Sequence, residues 1–402
     1  MGIDSDRIRY DFPFFQHNQS EIYFDNACTT LKPRQVIEAE RHYYEEVSCC
    51  AGRSAHHLGK KTGELFEAAR EKVARFVNAK PECVVWTKNT TEALNLVVRS
   101  FDYSTRKKVV TTALEHHSLL LPIIEQQRRG VLKMERLDVD GKGAISEKSI
   151  AEEIDKETAL VCVHHTTNTT GTRAPLEKII KVAHENGAAV LVDGAQGVPH
   201  CAIDFRKLDA DFLCFSGHKM LGPTGIGCLV GKSEALERLD SFIVGGETVD
   251  SVQMDSVKFK KAPKRFEGGI QNYAGAIGMG AACDYLSRIG MKNVEEHEKK
   301  LSAKLLSAIS AAGGEIYGDS DPKNRCALAS FNLKGVHHHQ VALMCDSLSK
   351  IALRSGVFCA QPAAEKMGFG HGAVRASLYV YNNEAEIGKF AETLSKIAKL
   401  GL

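Results

Sequence analysis

The sequence predicts an α/β protein built on a mostly parallel sheet. Two observations carry this. Between residues 83 and 230, short apolar runs alternate with helical patterns, and the runs are nearly continuously apolar, as strands covered on both faces tend to be. A texture change after Ser233 then marks a second, smaller α+β part.

The runs CVVW (83–86), KVVTT (108–112), ALVCVH (159–164), AAVLVD (188–193), DFLCF (211–215) and GIGCLV (225–230) read as strands. Between two of them, TRAPLEKIIKVAHENG places Leu176, Ile179, Ile180 and Ala183 at i, i+3, i+4 and i+7. Pro175 stands near its start and Gly187 at its end, the pattern of an amphipathic crossover helix. VDSVQMDSVKF alternates like a hairpin, GAIGMGAACDYL reads as a long helix with small residues on one side, and EIGKFAETLSKIAKL as a closing amphipathic helix. The expected division is a large α/β domain over 21–285 and a small α+β domain over 286–402 joined by 1–20.

Composition narrows the class. A 402-residue chain with 43% hydrophobic and 25% charged residues is ordinary globular material. A formal charge of +2 suggests neither a nucleic-acid footprint nor a polybasic membrane patch, and no apolar run is long enough to span a bilayer. The start lacks the apolar core of a secretion signal, so a cytoplasmic location is expected. Twelve cysteines without a C-x-x-C pair read as free thiols in a reducing compartment, with no metal site expected. Cys49-Cys50 and His337-His338-His339 are poor metal sets, because neighbouring side chains do not easily face one ion; the histidines read as a loop before the helix at Val341.

Three features converge on one chemistry. Asp193 ends an apolar strand, where parallel sheets place ligands. Lys219 follows the strand DFLCF among Ser216, Gly217 and Gly222, with room for a bulky adduct on its amine. In TKNTTEALN, Asn89 and Glu92 fit an N-cap and N3 pair, which puts Thr90 and Thr91 in a first turn suited to phosphate. Alone, Asp193 reads equally as an N-cap and Lys219 as a solvated loop lysine. Together an acid, an imine-forming lysine and a phosphate-binding turn are the handles pyridoxal 5′-phosphate requires.

Over most of its length the chain resembles the class V aminotransferase family, in the branch of SUF-type cysteine desulfurases and selenocysteine lyases. The resemblance runs from YFDNACTT at Tyr23 to VRASLYVYN at Asn382, through GRSAHH, NTTEALN, EHHS, TNTTGT, VDGAQ, SGHKMLGPTGIG, RFEGGIQN and RSGVFCAQP. It implies a pyridoxal-phosphate-dependent transferase of fold type I, a large domain with a mostly parallel mixed sheet flanked by helices plus a smaller α+β domain. It also implies that Lys219 carries the cofactor, Asp193 pairs with the ring nitrogen, Gln196 and Asn168 lie by the ring oxygen, and His116 stacks on the ring. Thr90, Thr91, Ser216 and His218 would bind phosphate, Arg375 would bind the substrate carboxylate, and Arg354 would also contact substrate. Taken alone, His116 reads as a capping or surface residue.

In this family the R-x-G-x-x-C-A pattern of LRSGVFCAQP holds the sulfur-accepting cysteine, here Cys359, with Arg354 as a nearby positive charge. The implied activity converts L-cysteine to alanine and leaves a persulfide on Cys359 for an acceptor or iron–sulfur scaffold protein. A homodimer with shared sites is implied by RFEGGIQN and suggested by the small-residue run GAIGMGAAC. Two departures stand out. Val357-Phe358 replace the usual two histidines, which makes the loop more apolar and should raise the thiol pKa. Ile270 replaces a threonine that would reach the partner's phosphate, and it cannot donate a hydrogen bond. The competing functions are another enzyme on the same scaffold (a selenocysteine lyase, a carbon–sulfur lyase or an aminotransferase, with Cys359 a bystander) and a non-catalytic partner in iron–sulfur assembly.

Overall fold

The computed structural model describes residues 2–52 and 54–400; Arg53 of the GRSAHH motif lies outside them. Seven strands form the main sheet: β1 (Val84–Thr87), β2 (Lys108–Thr112), β3 (Lys133–Leu137), β4 (Thr158–His164), β5 (Ala189–Asp193), β6 (Phe212–Ser216) and β7 (Gly227–Gly231). Their order is β1-β7-β6-β5-β4-β2-β3. The pairs from β6 through β3 are parallel, and β7 runs antiparallel to both neighbours. All six runs anticipated from the sequence are strands of this sheet. The edge strand β3 was not anticipated, because KMERL alternates charged and apolar residues at a boundary that water reaches.

Helices cover the sheet: α1 (His57–Phe76), α2 (Thr90–Ser100), α3 (His117–Arg128), α4 (Leu176–Glu185) and α5 (Tyr273–Ile289). The apolar stripe of α4 is buried as its spacing requires. In α5, Gly275, Ala276, Gly278 and Gly280 are buried within the chain, and a Cβ on Gly280 would lie 3.1 Å from Ala69 Cα of α1. The small-residue face therefore serves close helix packing inside one subunit and lends no support to a dimer contact.

VDSVQ and SVKF form the expected hairpin, β8 (Val249–Gln253) with β9 (Ser256–Phe259). The C-terminal part holds α6 (Met291–Ala311), α7 (His338–Ser349) and α8 (Glu384–Ala398) against an antiparallel sheet. That sheet, in order β10-β11-β13-β12, comprises β10 (Gly314–Tyr317), β11 (Leu328–Leu333), β12 (Arg354–Gly356) and β13 (Ala373–Ser377). The N-terminal residues pack on it: Arg9 meets Glu386 at 2.6 Å, and Phe12 stacks edge-on with Tyr381. His337 caps α7 and His338 and His339 open it, so the triplet is a helix start and not a loop. No helix of the described residues is long and apolar enough to cross a membrane.

Candidate active site

A cavity of about 480 Å³ opens at the carboxyl ends of β2, β4, β5 and β6. Strands in parallel array place their last residues on one edge, and the loops that follow build the site there. The C-terminal sheet closes it through Arg354, Ser355, Phe358, Cys359 and Arg375.

One end is made for an anion. Asn89 caps α2 by accepting from Glu92 N–H at 3.0 Å, and Glu92 reaches back to Lys88 N–H, so the first turn is held open toward the cavity. Thr90 and Ser216 join there, with Thr90 N–H donating to Ser216 Oγ at 2.8 Å and the two hydroxyls 2.6 Å apart. Thr91 Oγ1 and Ser118 Oγ stand 2.7 Å apart. Gly227 lets β7 approach this turn, since a Cβ would meet Asn89 Cα at 2.8 Å. Orphan helix N–H groups and hydroxyls at a dipole's positive end favour a phosphate.

Deeper in, Asp193 is buried and accepts from Ala195 N–H at 2.9 Å. Burial raises its pKa, against the opposing pull of that N–H and of Lys219. Lys219 sits in the turn after β6, and burial lowers its pKa more than Asp193 raises it. Both groups are pushed toward their neutral forms, the condition for a lysine to act as a nucleophile. The backbone of His218 fixes this turn: its carbonyl accepts from Thr30 N–H at 2.9 Å and from Lys32 Nζ at 3.0 Å.

His116 is a capping residue that also faces the cavity. It caps α3, Nδ1 accepting from Ser118 N–H at 3.1 Å, and its ring lines the cavity. Burial, then the charge of Lys219, holds its pKa down at about 3, so the ring is neutral. Beneath the site, His164 Nδ1 lies 2.8 Å from Glu115 Oε1, a buried pair that the sequence reading missed. Burial alone would lower the pKa of His164, but the charge and hydrogen bond of Glu115 outweigh it and raise it.

The wall toward the C-terminal sheet is a chain of contacts. Asn168 Nδ2 donates to Phe358 O at 2.8 Å, Arg375 Nη1 donates to Asn168 O at 2.9 Å, and Arg375 Nη2 lies 3.5 Å from Asp25 Oδ1. Phe358 turns its ring under the Arg375 guanidinium, 4.8 Å from the centroid. Cys359 is exposed on the loop after β12, and its carbonyl accepts from His117 N–H at 2.8 Å. Phe358 and Cys359 both hold left-handed backbone, with φ of 57° and 55°. Arg354 lines the same cavity as Cys359, and its Nη2 lies 2.6 Å from Cys28 Sγ and 3.1 Å from Asp25 Oδ2. Cys28 and Asp25 went unnoticed in YFDNACTT because nothing local marks them as facing a distant loop.

Every candidate site residue named from the sequence lines this one cavity. Three buried polar atoms in its wall have no partner among the described residues, Gln196 Oε1, Asn168 Oδ1 and Arg375 Nε. Native proteins rarely leave such groups unsatisfied, so they point to a polar ligand.

The class V aminotransferase model matches residues 22–390. A probable cysteine desulfurase of Synechocystis is 40% identical, over 96% of this chain and 94% of its own. A cysteine desulfurase of Haloferax volcanii is 36% identical over 99% and 98%. The solved cysteine desulfurase of Thermococcus onnurineus superposes with a TM-score of 0.94 at 37% identity, covering 99% of both chains. That of Escherichia coli superposes at 0.88 and 31%, again over 99% of both. Lysine, carboxylate, anion turn and exposed cysteine on one cavity agree with these matches along the whole chain: the protein belongs to the class V aminotransferase family, in its cysteine desulfurase branch.

Proposed function

We propose that the chain is a cysteine desulfurase that carries pyridoxal 5′-phosphate on Lys219 and moves sulfur from L-cysteine to Cys359. The observation that carries the reading is that Lys219, Asp193 and Cys359 share one cavity whose wall holds unsatisfied buried polar atoms. Those atoms, the anion turn and the buried carboxylate fit this cofactor. Lys219 would hold it covalently and Asp193 would face its ring nitrogen. Thr90, Thr91, Ser216 and His218 would take its phosphate, Gln196 and Asn168 would lie by its ring oxygen, and neutral His116 would cover the ring.

When bound, the cofactor supplies an electron sink for the substrate's Cα. Arg375 receives the substrate carboxylate, and its rigid fork between Asn168 and Asp25 fixes the orientation. Lys219, its pKa lowered by burial, removes the Cα proton and returns a proton to the product. The Cys359 thiolate attacks the substrate sulfur, the substrate Cβ–S bond breaks, and the sulfur stays on Cys359 as a persulfide while alanine leaves. An acceptor thiol or iron–sulfur scaffold protein can collect it, because Cys359 is exposed. We read the working form as a homodimer. The free state of all twelve cysteines suits a reducing compartment such as the cytoplasm.

The test incubates purified protein with L-cysteine and measures alanine and enzyme-bound persulfide together. Both should appear in wild type, and both should vanish in Cys359→Ser with the cofactor spectrum intact. Alanine at the wild-type rate from that variant, or pyruvate in place of alanine, would assign the chain to a lyase or an aminotransferase.

A further inference from the structure

Among the described residues, two of the twelve cysteines line the cavity, and the reaction above uses one of them. Eight others (83, 162, 201, 214, 228, 283, 326 and 345) are buried. Cys49 and Cys50 stand outside the cavity beside Tyr43 and Tyr273. The remaining one is Cys28.

Its surroundings differ from those of Cys359 in a telling way. Arg354, which the sequence offered as the positive charge beside Cys359, donates to Cys28 Sγ at 2.6 Å. Asp25 also faces this corner, 3.1 Å from Arg354 Nη2 and 3.5 Å from Arg375 Nη2, so two guanidinium groups meet one carboxylate and the balance is positive. The sulfur of Cys359 has no side-chain hydrogen bond among the described residues, and its neighbour Phe358 is apolar. Thiol exchange needs a sulfur that reaches its partner in polar, positively charged surroundings, and Cys28 is half-buried in the cavity wall with Arg354 against its sulfur. Arg375, whose buried Nε has no partner among the described residues, puts a second guanidinium on this side of the cavity.

We propose that Cys28 is a second sulfur-carrying thiol, which takes the sulfane sulfur from Cys359 inside the cavity. This rests on the desulfurase reading. The Cys28 thiolate attacks the outer sulfur of the Cys359 persulfide. The bond from that sulfur to Cys359 Sγ breaks as a bond to Cys28 Sγ forms, and Cys359 leaves as a thiolate that takes up the proton Cys28 lost. One disulfide-type bond is exchanged for another, so no oxidant or reductant is consumed. Cys359 is then free for a second substrate while the first sulfur stays stored.

The holoenzyme is incubated with L-cysteine without reductant, trapped with a persulfide-preserving alkylating agent and mapped by mass spectrometry, with alanine measured in the same samples. Wild type should carry extra sulfur on both the Cys28 and Cys359 peptides. Cys28→Ala should confine it to Cys359 and lower stored sulfur per subunit about twofold, and Cys359→Ser should clear both peptides. An unmodified Cys28 peptide in turning-over wild type overturns the relay. A second arm needs no turnover: inorganic polysulfide is applied to Lys219→Ala protein with and without Cys359→Ser. Loading of Cys28 should fall about tenfold when the entry thiol is gone. Equal loading overturns the relay, whereas missing alanine in wild type counts against the desulfurase reading alone.

Discussion

His164 Nδ1 stands 2.8 Å from Glu115 Oε1, and the same histidine pairs in backbone register with Asp193. A buried acid–base pair thus sits directly beside the strand end that carries the site's carboxylate. Glu115 is further held by Thr112 Oγ1 at 2.7 Å. Truncating one partner strands the other, so Glu115→Ala should cost roughly 3 kcal/mol in urea unfolding. The sign of its pH dependence follows from the histidine. Its folded pKa is raised above the unfolded value, so the pair's contribution is full below about pH 6.5 and fades as pH rises through the folded value. The gap between wild type and variant should narrow on going alkaline. A gap that widens there contradicts the pairing.

Lys219 and Asp193 should separate covalent attachment from electronic control. Lys219→Ala protein should lose the adduct that borohydride fixes, and retain the fold. Asp193→Asn should keep the fold and the adduct but lose most turnover, because a neutral amide cannot hold a proton on the ring nitrogen as a carboxylate does. Absorbance spectra and steady-state rates check both, and wild-type turnover in the asparagine variant would assign the role elsewhere.

Arg70 and Glu267 form the buried brace behind the sheet. Arg70 Nη1 and Nη2 meet the carboxylate at 2.7 and 2.9 Å, and Glu267 also accepts from Trp86 N–H at 2.8 Å. With both side chains buried, Glu267→Ala leaves the guanidinium with only Glu67 and Val84 O as partners and should cost about 3 kcal/mol by chemical denaturation. Replacing both partners with apolar residues of similar size should cost less than the single change.

A dimer is expected to cover the apolar side chains beside this brace. Ile270 is 72% exposed, and Ile243, also exposed, lines the same surface pocket with Glu267. Ile270→Asp should weaken self-association in light scattering and analytical ultracentrifugation. Wild type that stays fully active as a monomer at low concentration would remove the case for shared sites.

The sheet and the cap of α2 were legible because they are local. Continuous apolar runs marked β1, β2 and β4 to β7, and Asn89 with Glu92 marked the α2 cap before any geometry was known. What stayed hidden depends on separation along the chain. Glu115 and His164, Arg70 and Glu267, and Cys28 and Arg354 meet only through the fold, and no spacing rule joins them. The partners of Arg354 were hidden for the same reason: five residues from Cys359 in sequence, it makes its hydrogen bonds with Cys28 and Asp25, more than three hundred residues away in the chain.

Two consecutive L residues with left-handed backbone, Phe358 and Cys359, give the loop an unusual balance. Each costs roughly 1–2 kcal/mol relative to ordinary backbone. Against this stand two tethers, from Asn168 to Phe358 O and from His117 N–H to Cys359 O, each contributing about 0.5–1.5 kcal/mol. The terms nearly cancel. Where the Cys359 sulfur stands is thus set by those two tethers, and losing either one leaves the left-handed pair with its strain uncompensated.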